Sequence, residues 1–356
     1  HAEDGIRYSV ASRGLGDVYK RQLLHSPKNF MVGGHMVDHP EKPARAEILL
    51  SAAKDFGLKV LEPVSYDLRY IQKLHTERYI HYLKTIYERW SRRTNTSDEV
   101  TPGIHPDKRS CGYPKSAEGQ IGFHHADLSS PINKNTWEAA FWSAQTAAHA
   151  AHIVKNGEKA SYALSRPPGH HAAKDYAAGF CFFGNSAIAA EALKDKYKKI
   201  AILDIDVHHG NGTQDIFYHR NDVLTISIHA DPVRFYPFFW GHKDENGAND
   251  GIGFNINIPL ERGTGDDDYL VALNNAIDSI NNFTPDALVI ALGLDAYEKD
   301  PLKGLAVTTE GFKKIGVRIG DLKLPSVIVQ EGGYLSKELG INLSSFMDGF
   351  THGAKL

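Results

Sequence analysis

The sequence predicts an α/β protein built on a mostly parallel sheet with helices on both faces. Three observations predict it. From residue 136 onward, short apolar runs alternate with stretches of helical periodicity, as strands joined by crossover helices do. The runs, such as 287–292, are continuously apolar, which suits strands covered on two faces. Acids and histidines gather where those runs end, and that edge is where open parallel sheets bind ligands.

In chain order, residues 1–22 stand apart. GLGDVYKRQ resembles a string that recurs at the ends of metagenome-derived coding sequences, so 1–22 is set aside as a leader that need not be native. Its alternative is a short edge strand around 6–10. A helix is predicted over 44–56, where Pro43 suits the start and Gly57 the stop. Another is predicted over 77–92, where Tyr79, Ile80, Tyr82, Leu83 and Tyr87 form one face. Residues 91–135 carry glycine, proline and charge with little periodicity, and Tyr113, Ile121 and Phe123 argue for an ordered insertion loop. Strands at 160–164, 199–207, 223–229, 253–259, 286–294 and 326–330 then alternate with helices at 137–154, 185–194, 267–281 and 310–322. No fixed-period repeat or linker interrupts 23–356, which reads as one domain.

Composition narrows the function. A net charge of −3 gives no basic footprint for nucleic acid. Two cysteines, Cys111 and Cys181, make no disulfide framework and suit a reduced, cytoplasmic protein. The apolar runs fall short of the ~18–20 residues that a membrane helix needs.

The chemistry centres on residues 201–212, AILDIDVHHGNG. Read as a strand, this stretch projects Asp204, Asp206 and His208 from one face. Three ionisable groups on an apolar strand are costly to bury without compensation, and a bound cation supplies it. Carboxylate and neutral imidazole suit zinc, although ferrous iron accepts the same donors. Asp295, at the end of another strand, is a third ligand candidate that leaves a position for water. His170 and His171 follow two prolines and a glycine. Neighbours in an extended turn point apart, so the two imidazoles have different partners, with Asp204 and Asn211 available. Tyr334 follows two glycines, where a phenol can donate to a developing oxyanion.

RPPGHH, GFCFFGNSAIAA, DIDVHHGNGTQDIFY, GLDA and EGGY occur in that order. Together they resemble the zinc-dependent histone deacetylase superfamily, and within it the acetylpolyamine amidohydrolases. The resemblance implies the arginase–deacetylase fold, with a parallel sheet of about eight strands. It also implies an amide hydrolase for small acetylated amines, without nucleic-acid or membrane partners, and a homodimer formed through the insertion loop. By motif position it makes Asp206, His208 and Asp295 the zinc ligands. His170 pairs with Asp204, His171 with Asn211 is the general base and then acid, and Tyr334 polarises the carbonyl. Phe180, Tyr236 and Gly179 match the channel lining, and Glu118 matches an acid at its mouth. Asp204, Asp206, His208, Ser227 and Ile228 fall at a potassium site, and Phe217, Arg220 and Val223 at a second.

The mouth departs from the pattern. Ser129 stands where a further acid is expected, with Asp127 two residues earlier, and Phe30 and Val32 replace an acid and a tyrosine. Two other readings remain. A two-metal ureohydrolase needs a bridging carboxylate two residues after Asp295, where Tyr297 stands. A non-catalytic binder of acylated amines predicts loss of His170, His171 or Tyr334, and all three are present. Within the hydrolase reading, acyl-lysines on proteins are the alternative substrate.

Overall fold

The computed structural model describes residues 18–106 and 111–356, and the alternative strand at 6–10 lies outside them. Its strands are β1 (Asn29–Val32), β2 (His35–Asp38), β3 (Ala160–Ala163), β4 (Ile200–Asp204), β5 (Val223–Ala230), β6 (Asn255–Leu260), β7 (Ala287–Leu292) and β8 (Ser326–Gln330). Its α-helices are α1 (Val18–Leu23), α2 (Ala44–Asp55), α3 (Ile71–Leu74), α4 (Glu77–Ser91), α5 (Ala117–His124) and α6 (Thr136–Lys155). They continue with α7 (Asn185–Leu193), α8 (Asn211–Phe217), α9 (Asp266–Phe283), α10 (Thr309–Gly320) and α11 (Leu339–Ala354). The six helices expected from periodicity appear with ends shifted by two residues at most.

The main sheet runs β3-β8-β7-β4-β5-β6, every neighbouring pair parallel. It has six strands where the resemblance implies about eight. The other two, β1 and β2, pair antiparallel as a separate hairpin. Its side chains are largely exposed, which no strand of a sheet covered on both faces tolerates.

Side-chain alternation feeds two cores. Ala201, Leu203, Leu288, Ile290 and Leu292 pack with α2, α9, α10 and α11 on one face. Ile200, Ile202, Ala287 and Val289 pack with α4, α6 and α7 on the other. Helices therefore cover both faces, as the apolar runs require.

The topology also locates a cleft. After β4 the chain passes to β5 on one side, whereas after β7 it passes to β8 on the other. The two connections diverge at the β4/β7 boundary, a topological switch point, and ligands of such sheets bind just beyond it. Asp206 and His208 follow β4, and Asp295 follows β7.

Several elements had no clear sequence signal. Helix α11 contains Gly340, Gly349 and Gly353. Added Cβ atoms at Gly349 and Gly353 would strike the backbone of α10 at Lys313 and Val317, so the glycines that blur its periodicity let the helices pack closely. Within 91–135, Val100 and Ile132 pair antiparallel and are buried, and Ser116 caps α5 by accepting from the Gly119 amide at 3.1 Å. The insertion is ordered over its described residues. The segment set aside as leader also contributes: Gln22 is buried and donates to Thr146 Oγ1 at 3.3 Å.

Candidate metal centre and active site

Strand β4 ends at Asp204, three residues before the sequence reading ended it. Beyond it, each acid turns the chain for the next residue. Asp204 Oδ1 accepts the Asp206 amide at 3.1 Å, and Asp206 Oδ1 accepts the His208 amide at 2.9 Å. The three side chains consequently do not share one face. Asp204 turns to His170, while Asp206 and His208 meet Asp295.

Ligand atoms of Asp206, His208 and Asp295 all lie within 4.8 Å of one another, and all three residues are buried. His208 Nδ1 is 3.1 Å from Asp206 Oδ1 and 3.4 Å from Asp295 Oδ2. Burial opposes charge on His208, but its close approach to the Asp206 and Asp295 carboxylates raises it to about 9. The second oxygen of each acid is anchored: Gly332 donates its amide to Asp206 Oδ2 at 2.8 Å, and Val207 to Asp295 Oδ1 at 3.0 Å. Asp295 Oδ2 is buried with no hydrogen-bond partner. An unpaired buried carboxylate oxygen beside an imidazole and a second carboxylate fits a divalent cation. A Cβ at position 332 would come within 2.0 Å of that same oxygen, so glycine is required there.

His170 and His171 do not point apart. Their ring centroids are 4.0 Å from each other, because 169–172 closes as a turn, with Ala172 N donating to Gly169 O at 3.0 Å. Their partners still differ as expected. His170 Nδ1 lies 2.9 Å from Asp204 Oδ2, and His171 Nδ1 lies 2.6 Å from Asn211 Oδ1. Burial disfavours charge on both. For His170 the Asp206 and Asp204 carboxylates outweigh it and hold the imidazole well above its ordinary value. For His171 burial prevails, reinforced by His170 and His208, and holds it well below. With Nδ1 donating to the Asn211 carbonyl, neutral His171 keeps Nε2 free to accept a proton.

The segment leaving β8 joins the parts. Glu331 Oε2 accepts the amides of Gly169 at 2.6 Å and His170 at 3.1 Å, and Oε1 accepts from Ser186 at 2.7 Å. Gly332 holds Asp206. The carbonyl of Gly333 accepts from Arg45 Nε at 2.5 Å, and that of Glu331 from Arg45 Nη2 at 2.7 Å. Tyr334 is buried, its ring 4.8 Å from the Arg45 guanidinium and edge-on to Phe180 at 5.7 Å. Burial raises its phenol well above the ordinary value, so it stays a proton donor. Arg45 pairs with Glu41 at 2.6 Å, and Arg166 reaches the same carboxylate at 2.8 Å. Sequence reasoning missed Arg45, although it lies four residues from Leu49 on the buried face of α2 and four from Glu41.

Around this centre, Tyr236 stands edge-on to His171 with centroids 5.0 Å apart. Gly179 and Phe180 both have positive φ, 51° and 71°, a costly conformation for a bulky residue. A Cβ at Gly179 would meet the His171 ring. Asp127 holds these walls: Oδ2 accepts the Gly179 amide at 3.1 Å and the Tyr236 hydroxyl at 2.5 Å. Its Oδ1 accepts from Ser129 N and Oγ, and Ser130 Oγ accepts the Phe180 amide at 3.0 Å. Phe30 packs against Phe180 at 5.5 Å. Glu118, expected at the mouth, is exposed on α5 and pairs with Arg93 at 2.5 Å. Ser227 neighbours Asp204 in register, and both line a small polar cavity with Thr213 and Asn257. Phe217, Arg220 and Val223 lie at the opposite end of β5, where the Arg220 guanidinium is engaged by Asp222 and Glu191.

The chain is 43% identical to the acetylpolyamine amidohydrolase of Burkholderia pseudomallei over 92% of its own length and 96% of that protein's. It is 38% identical to the acetylpolyamine amidohydrolase of Mycoplana ramosa, with the same coverage of each. A crystal structure of acetylpolyamine aminohydrolase from Burkholderia pseudomallei superposes with a TM-score of 0.93 at 41% identity, covering 97% of this chain and 99% of that one. No helix among the described residues is long and apolar enough to cross a membrane. Residues 39–350 match the histone deacetylase domain, and the chain belongs to that family.

Proposed function

We propose that this chain is a metal-dependent amidohydrolase that removes acetyl or other short acyl groups from acetylated polyamines or diamines. One observation carries the reading: three buried ligand candidates, with one carboxylate oxygen unpaired, adjoin two differently partnered histidines and a buried tyrosine. The substrate class follows the relatives' names. Asp206, His208 and Asp295 would hold zinc or ferrous iron. Such an ion supplies Lewis acidity and lowers the pKa of water.

The chain's own groups supply the remaining chemistry. His171 Nε2 accepts the proton of the attacking water, while Asn211 fixes the ring through Nδ1. His170, kept charged by Asp204 and Asp206, adds positive charge 4.0 Å from that base. Tyr334 donates to the oxyanion that forms from the acyl carbonyl. A histidine in its protonated form then hands a proton to the departing amine. Phe180, Gly179 and Tyr236 enclose the acyl group and exclude water, and Glu118 is proposed at the mouth.

The resemblance also supports potassium at Asp204, Asp206, His208, Ser227 and Ile228, two of which, Asp204 and Ser227, line the small polar cavity. A second ion at Phe217, Arg220 and Val223 needs backbone oxygens, since the Arg220 side chain is itself a cation. We take 23–356 as one catalytic domain and 91–135 as the dimer-forming insertion, for which light scattering is the test. Free Cys111 and Cys181 suit a cytoplasmic setting.

Acyl-lysine is the second reading. It gains from Glu118 being tied to Arg93 and from Phe30 packing on Phe180, which leave the mouth poor in acids. Comparing kcat/KM for acetylputrescine, acetylcadaverine, acetylspermidine and an acetyl-lysine peptide decides between them. Highest values on the small amines are expected. A peptide preferred over all three overturns the polyamine assignment, and no turnover of any overturns the hydrolase.

A further inference from the structure

We propose that Asp300 is the positioning residue for Tyr334, fixing the backbone from which the phenol reaches its target. The inference rests on the hydrolase reading above. Asp300 is 2% exposed, and nothing in its sequence context marks it beyond a turn acid before Pro301. A turn acid would bond only nearby amides, and Oδ1 does so, accepting from Leu302 N at 2.9 Å. Oδ2 instead accepts the Tyr334 amide at 2.8 Å, across 34 residues of sequence.

That amide needs an external hold. Gly333 has φ +108°, a backbone region open to glycine and correspondingly soft. Arg45 restrains this turn through the Gly333 carbonyl, and Asp300 restrains it through the next amide. Each leaves the other's hydrogen bond untouched, so together they grip both ends of the Gly333–Tyr334 peptide step. Asp300 also lies on the loop after β7 that carries Asp295. One loop thus delivers a candidate metal ligand and the support of the candidate oxyanion donor, setting the distance between them. Reacting groups displaced by ~1 Å lose about 10²-fold in rate, so such a support has kinetic weight.

The test is a double-mutant cycle on the metal-loaded enzyme with its best acetylated amine, using wild type, D300A, Y334F and D300A/Y334F, with D300N beside them. Metal content and Tm are measured for each. D300A is expected to lower kcat about 10- to 100-fold, with KM and metal content within ~2-fold. D300N keeps an oxygen acceptor and should restore most of the rate. On the Y334F background, D300A should cost no more than ~2-fold, because the group it positions is already gone. If D300A does not fold, D300V, which removes the acceptor while filling most of the space the carboxylate leaves, takes its place. Equal losses in both backgrounds, or loss of metal with the rate, overturn the positioning role while leaving the hydrolase standing. An inactive wild type overturns both.

Discussion

The candidate metal cluster and the rim around Phe180 and Tyr236 are built by different rules. At the cluster, Asp204, Asp206, Glu331, His170 and His171 each have named partners within 3.1 Å. Around the rim, Met31, Val32, Met36, Phe238, Phe239 and Trp240 are exposed. Asp127 braces the rim itself, through Gly179 and Tyr236, and the rim meets the cluster where Tyr236 stands against His171 and Phe180 against Tyr334. The contrast teaches that the reaction is set by many mutual restraints and the substrate by few, so substitutions should alter chemistry at the first and selectivity at the second.

The strongest way to break that comparison is to remove a ligand. His208→Ala or Asp206→Ala should strip the ion and abolish turnover, measured by metal analysis and acetate release. Tyr334→Phe should keep the metal and slow turnover by ~10²–10³. An unchanged rate would remove the phenol from the mechanism.

Glu41 tests the support beneath the cluster. Burial raises its carboxyl, but Arg166 and Arg45 outweigh this and hold it below the ordinary 4.5. Its folded pKa is therefore depressed. The linked stability is fully present above pH 4.5 and is lost as pH falls through the lower folded value. Glu41→Gln should cost about 3 kcal/mol at neutral pH and flatten the acid limb of a Tm-against-pH curve.

Within the rim, Asp127→Ala leaves two donors of the walls, the Gly179 amide and the Tyr236 hydroxyl, unpaired. It should lower kcat/KM about 10-fold without loss of metal. The smallest effect is expected at Glu118. An exposed pair is worth little, so Glu118→Gln should raise KM for an acetylpolyamine about 2-fold and leave an acetyl-lysine peptide unchanged.

The same division decided what was legible beforehand. The positions of the candidate ligands and of the histidine pair could be read because acids and imidazoles at strand ends are conspicuous against apolar runs. Their convergence could be read because parallel topology brings those ends together. Where the strand stopped was hidden, since Asp204 and Asp206 bond the backbone two residues ahead, a local choice with no periodic signature. Arg45, Asp300 and Asp127 were hidden for another reason. Each works through a backbone group more than thirty residues away in sequence, and no local pattern encodes that. At Glu118, motif position suggested an acid at the mouth, and the structure pairs that carboxylate with the nearby Arg93.

Residues 331–334 carry a consequence for anyone transplanting parts between relatives. Four consecutive positions answer to four separate correspondents: Ser186 with the Gly169–His170 amides, Asp206, Arg45 and Asp300. Such a stretch cannot drift one letter at a time, and a chimera that imports it must import those correspondents with it.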